Sequence, residues 1–264
     1  MLTAKRSMNG IIDTEGRYFS EFAVVEQTAW GVRYTDYNVL DMYTHNFSRI
    51  FRRSLGRIDA ILASELAYRR TLGQSVVRVE CFAASPERIR IGVAGYTVSE
   101  QIILALDLST KSVPPQPDDV DIRPARSDAD FEAGKQIDVS SSEESLRDFF
   151  ARRYTRKLLQ YRDRNVGLYN MICFQNGEPV GNCDLYVHGA YGKVEDFDVL
   201  PTFQRRGYGT KILDEVVRYA AARGVVRLYL LVDSDNSAIR MYEKYGFGRI
   251  TNNVTIQGTH PTIG

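Results

Sequence analysis

The sequence predicts an α/β protein of the α+β type, in which helices cover the faces of a mixed sheet. Three observations support this fold class. Strand-like and helix-like segments alternate through the second half of the chain. Two apolar runs flank Asn176-Gly177, a dipeptide typical of a two-residue β-hairpin. An amphipathic segment closed by Gly224 precedes the nearly continuous apolar run 225–232, which suits the buried centre of a sheet.

The elements of the second half can be placed from local signals. Ser127 with Asp130 opens one helix, and Ser141 with Glu144, three residues apart, forms the pattern of a capping box that predicts the start of the next. In chain order, the sequence predicts a strand at 120–124, helices at 127–137 and 141–164, strands at 168–175, 179–187 and 193–200, a helix at 207–224, a strand at 225–232, a helix at 237–245 and a strand from 247 onward.

The composition is that of an ordinary globular protein. Hydrophobic residues make up 44% of the 264 residues and charged residues 25%, which argues against long disorder, a collagen repeat or a disulfide scaffold. The 34 Lys and Arg residues against 33 Asp and Glu residues leave a formal net charge of +1. This near-balance argues against a dedicated binder of nucleic acid or another polyanion.

The chain shows no targeting or membrane signal. Its basic N-terminus lacks a following apolar segment, and no segment approaches the ~18 apolar residues of a membrane span. We therefore expect a cytoplasmic protein with no membrane partner. Cys81, Cys173 and Cys183 lack CxxC spacing and lie in apolar, strand-like segments, which predicts buried, reduced thiols. No cluster of His, Cys and carboxylates has metal-ligand spacing, so no metal is predicted.

A proline-rich segment divides the chain. Pro114, Pro115 and Pro117 fall within a stretch without periodicity, which is typical of a linker. The predicted organisation is a smaller N-terminal domain at 1–112, a linker at 113–119 and a larger C-terminal domain at 120–264.

The two parts share a faint internal repeat. Residues 76–85 match residues 225–234 position for position in hydrophobic character, and each run follows an amphipathic helix ended by glycine. The N-terminal copy has only Gly56 where the C-terminal copy has Gly207 and Gly209 at the helix start. We therefore expect the N-terminal copy not to bind a phosphate ligand in the same way.

The stretch from 194 to 210 carries the clearest chemistry. Pro201 ends a strand, and a loop then enters an amphipathic helix with Gly207 and Gly209 in its first turn. A helix start presents unpaired N–H groups and partial positive charge, which together favour phosphate. The spacing fits neither the G-x-G-x-x-G loop, because Ile212 stands at the third glycine, nor the Walker A order, because Thr210 precedes Lys211.

The remaining pattern, Gln/Arg-x-x-Gly-x-Gly after a proline-marked strand end, resembles the acetyl-CoA loop of the GNAT superfamily of N-acetyltransferases. A second segment, running from Asn236 through Tyr242 to Gly246-Phe247, is similar to that family's Asn-x-x-Ala/Ser-x-x-x-Tyr-x-x-x-Gly-Phe motif. The resemblance covers roughly 120–256. It implies a mostly antiparallel sheet, and it makes the N-terminal domain a degenerate GNAT-like copy, as in tandem GNAT proteins.

The resemblance also implies a cofactor and the residues that hold it. Acetyl-CoA would pair its pantetheine arm with backbone groups at Phe197 and Val199, in an opening beside a splayed strand, and would contact Asn236. Asn236 is equally suited to be an ordinary helix N-cap. The main-chain amides of the loop would hold the diphosphate; these belong to Gln204, Arg205, Arg206, Gly207, Tyr208, Gly209 and Thr210.

The implied reaction is direct transfer of an acetyl group from acetyl-CoA to a primary amine of a small molecule or peptide. Tyr242 would return a proton to the departing thiolate. A base must deprotonate the amine, and Glu195 is the chosen candidate, acting directly or through a water. Because strand residues alternate, Glu195 and Asp196 are expected on opposite faces. Asp196 and Asp198 are candidates for binding a cationic acceptor.

Other readings stay open. The chain could be a noncatalytic acyl-CoA-binding or assembly module, or a kinase or dehydrogenase that uses the loop for another nucleotide. The sequence leaves both monomer and homodimer open, and it does not identify the acceptor. One predicted helix is rich in basic residues, which usually form a solvated face and less often contact an acidic substrate, RNA or the phosphoadenosine end of the cofactor. These residues are Arg152, Arg153, Arg156, Lys157, Arg162 and Arg164.

Overall fold

The computed structural model describes residues 2–259, with side chains from residue 8 onward. Its helices are α1 (Leu2–Ser20), α2 (Ile58–Thr71), α3 (Asp128–Ser141), α4 (Arg147–Arg162), α5 (Tyr208–Ala221) and α6 (Ile239–Tyr245). Its strands are β1 (Val24–Thr28), β2 (Gly31–Thr35), β3 (Phe47–Ile50), β4 (Val76–Phe82), β5 (Tyr96–Asp107), β6 (Asp121–Pro124), β7 (Leu168–Gln175), β8 (Glu178–His188), β9 (Tyr191–Val199), β10 (Arg227–Asp233) and β11 (Gly248–Thr259).

The chain forms two compact units, each drawn from separate stretches. Unit 1 comprises Met1–Tyr18, Ala105–Leu230 and Arg240–Gly248, and unit 2 comprises Phe19–Leu104, Leu231–Ile239 and Arg249–Gly264. Residues 111–117, within and beside the predicted linker, form neither helix nor strand. The predicted domain boundaries at 112 and 120 stay a prediction.

Unit 1 carries the strand order β10-β9-β8-β7-β6. The pairs from β9 to β6 are antiparallel, whereas β10 runs parallel to β9. This is the predicted mixed, mostly antiparallel sheet flanked by helices. The β7–β8 hairpin turns at Asn176 and Gly177 with φ angles of +52° and +84°, the two left-handed conformations that a type I′ turn requires.

One predicted helix start is wrong. Ser141 is the last residue of α3, and α4 begins at Arg147 after a short 3₁₀ turn, with Leu146 as an N-cap that makes no side-chain cap. The capping box lies at the start of α3 instead, where the Ser127 hydroxyl accepts from the Asp130 amide and the Asp130 carboxylate accepts from the Ser127 amide. The Ser141–Glu144 spacing alone did not distinguish a helix end from a helix start.

Unit 2 carries the strand order β1-β2-β3-β4-β11-β5. Helix α2 connects the parallel strands β3 and β4, as α5 connects the parallel strands β9 and β10. Both connections are parallel strand–helix–strand units, so the repeat predicted from the sequence has a counterpart in the structure. The buried side chains of α2, β4 and β11 form the core of unit 2, including Leu62, Val79 and Ile256.

The three cysteines are buried and unpaired, as predicted. Burial raises the pKa of Cys81 to about 11 and that of Cys173 to about 12. Among the described helices, none combines the length and apolar character that crossing a bilayer requires.

Candidate active site

Strand β9 contains a bulge at the centre of the candidate site. Asp184 of β8 lies opposite Glu195, and Asn182 lies opposite Asp198. Between these two pairs β9 contains one residue more than β8. Asp196, inside this span, has a left-handed φ of +47°. Such a bulge bends its strand and re-aims side chains.

The bulge overturns the predicted alternation of Glu195 and Asp196. Both carboxylates reach the same guanidinium, that of Arg153 on α4, at 3.8 Å and 2.5 Å respectively. Glu195 also contacts the Lys193 ammonium. Regular alternation would have sent these two side chains to opposite faces, but the extra residue brings both toward α4.

The parallel pairing of β9 with β10 involves only the first residues of each strand. Within the described chain, its pairing covers Tyr191–Lys193 against Arg227–Tyr229, whereas β9 continues to Val199. Leu200 donates its amide to the Val180 carbonyl on the β8 side at 2.9 Å. Successive residues of a strand direct their N–H and C=O groups to alternate edges. Because the Leu200 amide faces β8, the N–H and C=O of Val199 face the side away from β8. The Val199 carbonyl accepts there from the Gln204 side chain at 3.0 Å.

The loop after β9 leaves a run of amides without acceptors. Gly207 is the N-cap of α5 with a left-handed φ of +88°, and Arg205 also has a positive φ of +61°. Gln204 donates its amide to Pro201 and Lys211 to Gly207. Among the residues that the structure describes, no acceptor receives the amides of residues 205–210. This run is the arrangement that binds a phosphate group.

The two glycines have different reasons to be glycine. Gly207 adopts a conformation that side chains disfavour, and a Cβ there would meet nothing within 4 Å. A Cβ on Gly209 would lie 3.0 Å from Met241 Sδ and 3.7 Å from the Phe197 ring. Gly209 therefore allows α5 to approach α6 and β9 closely, a packing role that its position in the sequence does not reveal.

The side chains of the loop are held by neighbours in unit 1. The Tyr208 hydroxyl donates to Gln175 Oε1 at 3.1 Å, and the Arg206 guanidinium lies 5.7 Å from the centre of the Phe203 ring. The predicted cofactor residue Thr210 lies in the first turn of α5, which begins at Tyr208.

A buried ion-pair cluster supports the bulge. The Lys157 ammonium contacts the carboxylates of Asp184, at 2.8 Å, and Asp196. Lys193 bridges Glu195 and Glu15, the latter at 2.8 Å. Burial would lower the pKa of Lys157, but the two aspartates raise it well above its usual value. The pKa of Asp196 lies well below its usual value because Arg153 and Lys157 outweigh its burial.

The solvated-face interpretation of the basic helix is wrong for two residues. The side chains of Arg153 and Lys157 are 12% and 1% exposed, and both point at carboxylates of unit 1. They are four residues apart and so share one face of α4. That spacing, together with the position of Asp184 inside an apolar strand, is the sequence signal that could have indicated a buried ion pair. Arg152, by contrast, pairs with Asp148 at the surface.

Asp198 stands apart from this cluster. Its carboxylate has no hydrogen-bond or ion-pair partner among the described residues. Burial, reinforced by the nearby negative charge of Asp196, raises the pKa of Asp198 to about 6. From its place in the sequence Asp198 is predicted only to bind a cationic acceptor, yet its charge state changes in the pH range where a general base operates.

Tyr242 lies near Asp198 in a buried aromatic group. Its ring centre is 6.1 Å from that of Phe197 and 5.8 Å from that of Phe247. Burial raises the pKa of Tyr242, and the nearby Cys183 and Asp198 raise it further. The hydroxyl therefore stays protonated throughout the neutral range.

Asn236 belongs to unit 2, whereas the other predicted site residues belong to unit 1. Its side-chain oxygen accepts from the Ala238 amide at 2.8 Å just before α6, which is the hydrogen bond of a helix cap. Its predicted contact with a cofactor stays a prediction.

The bulged strand β9, the parallel strand β10 and the start of α5 at Gly207 all lie between residues 136 and 247. Residues 136–247 match the family model described as the acetyltransferase (GNAT) family. The chain therefore carries a domain of this family, as predicted.

Two curated relatives are N-acetyltransferases by name. The chain is 32% identical over 82 residues to the uncharacterized N-acetyltransferase CgeE of Bacillus subtilis, covering 29% of this chain and 32% of the relative. It is 44% identical over 52 residues to the [ribosomal protein bS18]-alanine N-acetyltransferase of Salmonella typhimurium, covering 19% of this chain and 35% of the relative. The matches thus span about a third of each relative's length.

Solved structures resemble most of the chain. A functionally unknown conserved protein from Staphylococcus epidermidis superposes with a TM-score of 0.76 at 14% identity, covering 90% of this chain and 95% of its own. A GCN5-related N-acetyltransferase from Kribbella flavida gives a TM-score of 0.65 at 16% identity, covering 96% of each chain. At these identities the likeness establishes the fold, and it extends beyond residues 136–247.

Proposed function

We propose that this protein is an N-acetyltransferase that moves an acetyl group from acetyl-CoA to a primary amine of a small molecule or peptide by direct attack. The observation that carries the proposal is the run of amides at 205–210, which have no acceptor among the described residues and lie at the start of α5, after the end of β9. Family membership over residues 136–247 supports the same activity.

The residues present fit acetyl-CoA. The amides of 205–210 would hold its diphosphate, with the positive charges of Arg205 and Arg206 beside them. The peptide groups of Phe197 and Val199 on the edge of β9 would pair with the pantetheine arm, and Gln204 would release the Val199 carbonyl for that contact. When bound, the cofactor supplies an acetyl thioester.

Asp198 is the base that the geometry favours. An alkylamine is protonated at neutral pH and must lose a proton before it attacks. Asp198 is ionised above about pH 6 and has no cation bonded to it. Glu195, the base predicted from sequence, has its oxygens against Arg153 and Lys193, and the oxygens of Asp196 lie against Arg153 and Lys157. In this proposal Glu195 and Asp196 fix the bulge, and Asp198 also attracts a cationic acceptor.

Tyr242 is the proposed proton donor to the departing thiol. Its hydroxyl stays protonated at neutral pH and lies near Asp198, in the same unit as the amide run. A positioned acid typically contributes 10²- to 10⁴-fold to a rate. Replacing Tyr242 by Phe keeps the ring packing on Phe197 and Phe247 and removes only the hydroxyl.

The test is release of free thiol from acetyl-CoA against a panel of amines. The panel contains polyamines, amino acids, aminoglycosides and a peptide with N-terminal alanine, which is included because the name of the Salmonella relative gives an alanine of ribosomal protein bS18 as its acceptor. Calorimetry of coenzyme A, ATP and NAD on the same protein separates an acyl-CoA site from a site for another nucleotide. Absence of coenzyme A binding would refute the proposal.

Substitutions at the proposed catalytic residues distinguish an enzyme from a noncatalytic binding module. We expect Tyr242→Phe to lower turnover about 10²-fold with coenzyme A affinity unchanged. We expect Asp198→Asn to lower turnover more than Glu195→Gln does at pH 7.5. Coenzyme A binding with no turnover on any amine, in the wild-type protein, would favour a noncatalytic acyl-CoA-binding module.

A further inference from the structure

A second pocket in unit 1 is lined by arginine and tyrosine side chains. It has a volume of about 240 Å³ and lies where the ends of β6, α4 and α5 meet the start of β7. Its polar lining is dominated by six side chains: Arg126, Arg162, Arg164, Arg223, Tyr169 and Tyr219. No Asp or Glu is among the described residues that line it.

Three of the four guanidinium groups lack an acidic partner. Arg162 forms an ion pair with Asp128 at 2.6 Å. Within residues 8–259, no carboxylate forms an ion pair with Arg126, Arg164 or Arg223. These three side chains are exposed, so water screens much of their mutual repulsion, and their guanidinium groups keep N–H donors available to a bound anion.

Three of the arginines lie close enough to the Tyr219 hydroxyl to act on it electrostatically. Arg223, Arg126 and Arg164 each act electrostatically on the Tyr219 hydroxyl, although burial leaves its pKa raised. The Arg223 guanidinium lies 3.3 Å from the centre of the Tyr219 ring and 5.0 Å from that of Tyr169. Stacking and a hydrogen bond from Arg223 to the Tyr219 carbonyl at 3.1 Å fix this guanidinium in place. The pocket is therefore built before any ligand arrives.

This pocket is separate from the proposed diphosphate site. Gly207 precedes the first turn of α5, whereas Tyr219 and Arg223 belong to or follow its last turn. At 1.5 Å per helical residue the two ends are about 20 Å apart. The cofactor loop and the pocket therefore occupy opposite ends of one helix.

We propose that this pocket binds the phosphate group of a small phosphorylated metabolite. Guanidinium groups match phosphate oxygens in bidentate geometry, and a tyrosine hydroxyl can donate a further hydrogen bond. The volume lies below the ~300–1,000 Å³ typical of pockets for drug-sized ligands, which favours a phosphate monoester with a small organic part. Free inorganic phosphate shares the recognised chemistry and would bind more weakly, because it lacks contacts with Tyr169 and the apolar lining.

The test is calorimetric titration of the full chain with glycerol 3-phosphate, inorganic phosphate and sodium sulfate in 150 mM NaCl. Each titration is repeated with saturating coenzyme A, so that binding at the α5 start is separated from binding at its far end. We expect glycerol 3-phosphate to bind saturably, more tightly than phosphate or sulfate, and with unchanged affinity in the presence of coenzyme A. Phosphate binding equal to that of the ester would instead assign the pocket to the free ion and overturn the metabolite proposal.

Matched arginine variants locate the site. The double variant Arg126→Ala/Arg164→Ala should bind glycerol 3-phosphate at least tenfold more weakly than the wild type. The double variant Arg126→Ala/Arg164→Lys, which keeps a positive charge at position 164, should bind more tightly than the double alanine variant. Arg152→Ala, an exposed arginine on α4 outside the pocket, should bind within twofold of the wild type. Thermal unfolding without phosphate confirms that each variant folds. Absence of saturable binding, or equal weakening in Arg152→Ala and the double alanine variant, would overturn the proposal.

Discussion

Replacing Asp198 by Asn tests the electrostatics of the site without knowledge of any substrate. Burial and the charge of Asp196 raise the pKa of Asp198 from its ordinary 3.8 to about 6. The folded protein therefore holds a proton on this carboxyl that the unfolded chain releases between these two pH values. Stability linked to Asp198 is thus fully present below about pH 4 and is lost as the pH rises through about 6. The difference between 3.8 and about 6 corresponds to about 3 kcal/mol.

Asn has the shape of the protonated carboxyl and cannot ionise. We therefore expect Asp198→Asn to be more stable than the wild type by about 1–3 kcal/mol at pH 7.5, because the site is partly exposed, and to match it near pH 4. Urea unfolding, followed by circular dichroism at half-unit pH steps, measures the difference in free energy of unfolding between variant and wild type at pH 7.5 and near pH 4. Glu195→Gln, which removes a charge held by Arg153 and Lys193, should instead be less stable than wild type at pH 7.5. A variant at 198 that is destabilised at pH 7.5, or a stability gain that grows toward acid, would refute the reasoning.

Further predictions concern the packing and the ion pairs of unit 1 and the buried thiols of both units. Gly209→Ala should cost at most about 1 kcal/mol and weaken coenzyme A binding, because its Cβ would lie 3.0 Å from Met241 Sδ while the better helix propensity of alanine, about 1 kcal/mol, offsets part of that crowding, whereas Gly248→Ala, which meets nothing within 4 Å, should not weaken binding. Lys157→Met should cost about 3–5 kcal/mol in urea unfolding, because it leaves two buried carboxylates without their shared cation, and Arg152→Ala on the same helix should cost under about 0.5 kcal/mol. The three buried thiols should resist alkylation by iodoacetamide at pH 7.5 until urea unfolds the chain, and rapid labelling of the native protein would contradict their burial and raised pKa values.

In the second half of the chain, the sequence by itself determined the order of the elements and the turn chemistry, but not the start of α4. Asn176-Gly177 selects a type I′ turn, Pro201 ends a strand, and Gly207 provides the left-handed residue at the start of α5. These signals act through the backbone of a few consecutive residues, so they can be recognised without knowing what lies across the sheet. The same local character explains the failure at Ser141, since a polar residue near a helix end satisfies similar requirements at either terminus.

Only the tertiary structure decided the chemistry of the carboxylates on β9. The bulge at Asp196 depends on the register against β8, and Lys157 reaches Asp184 and Asp196 across 27 and 39 residues of sequence. Whether a carboxylate is paired, like Asp196, or unpaired with a raised pKa, like Asp198, depends on every charge and every water-excluding group packed around it. That environment is a property of the folded chain, because the charges that set it lie on separate elements.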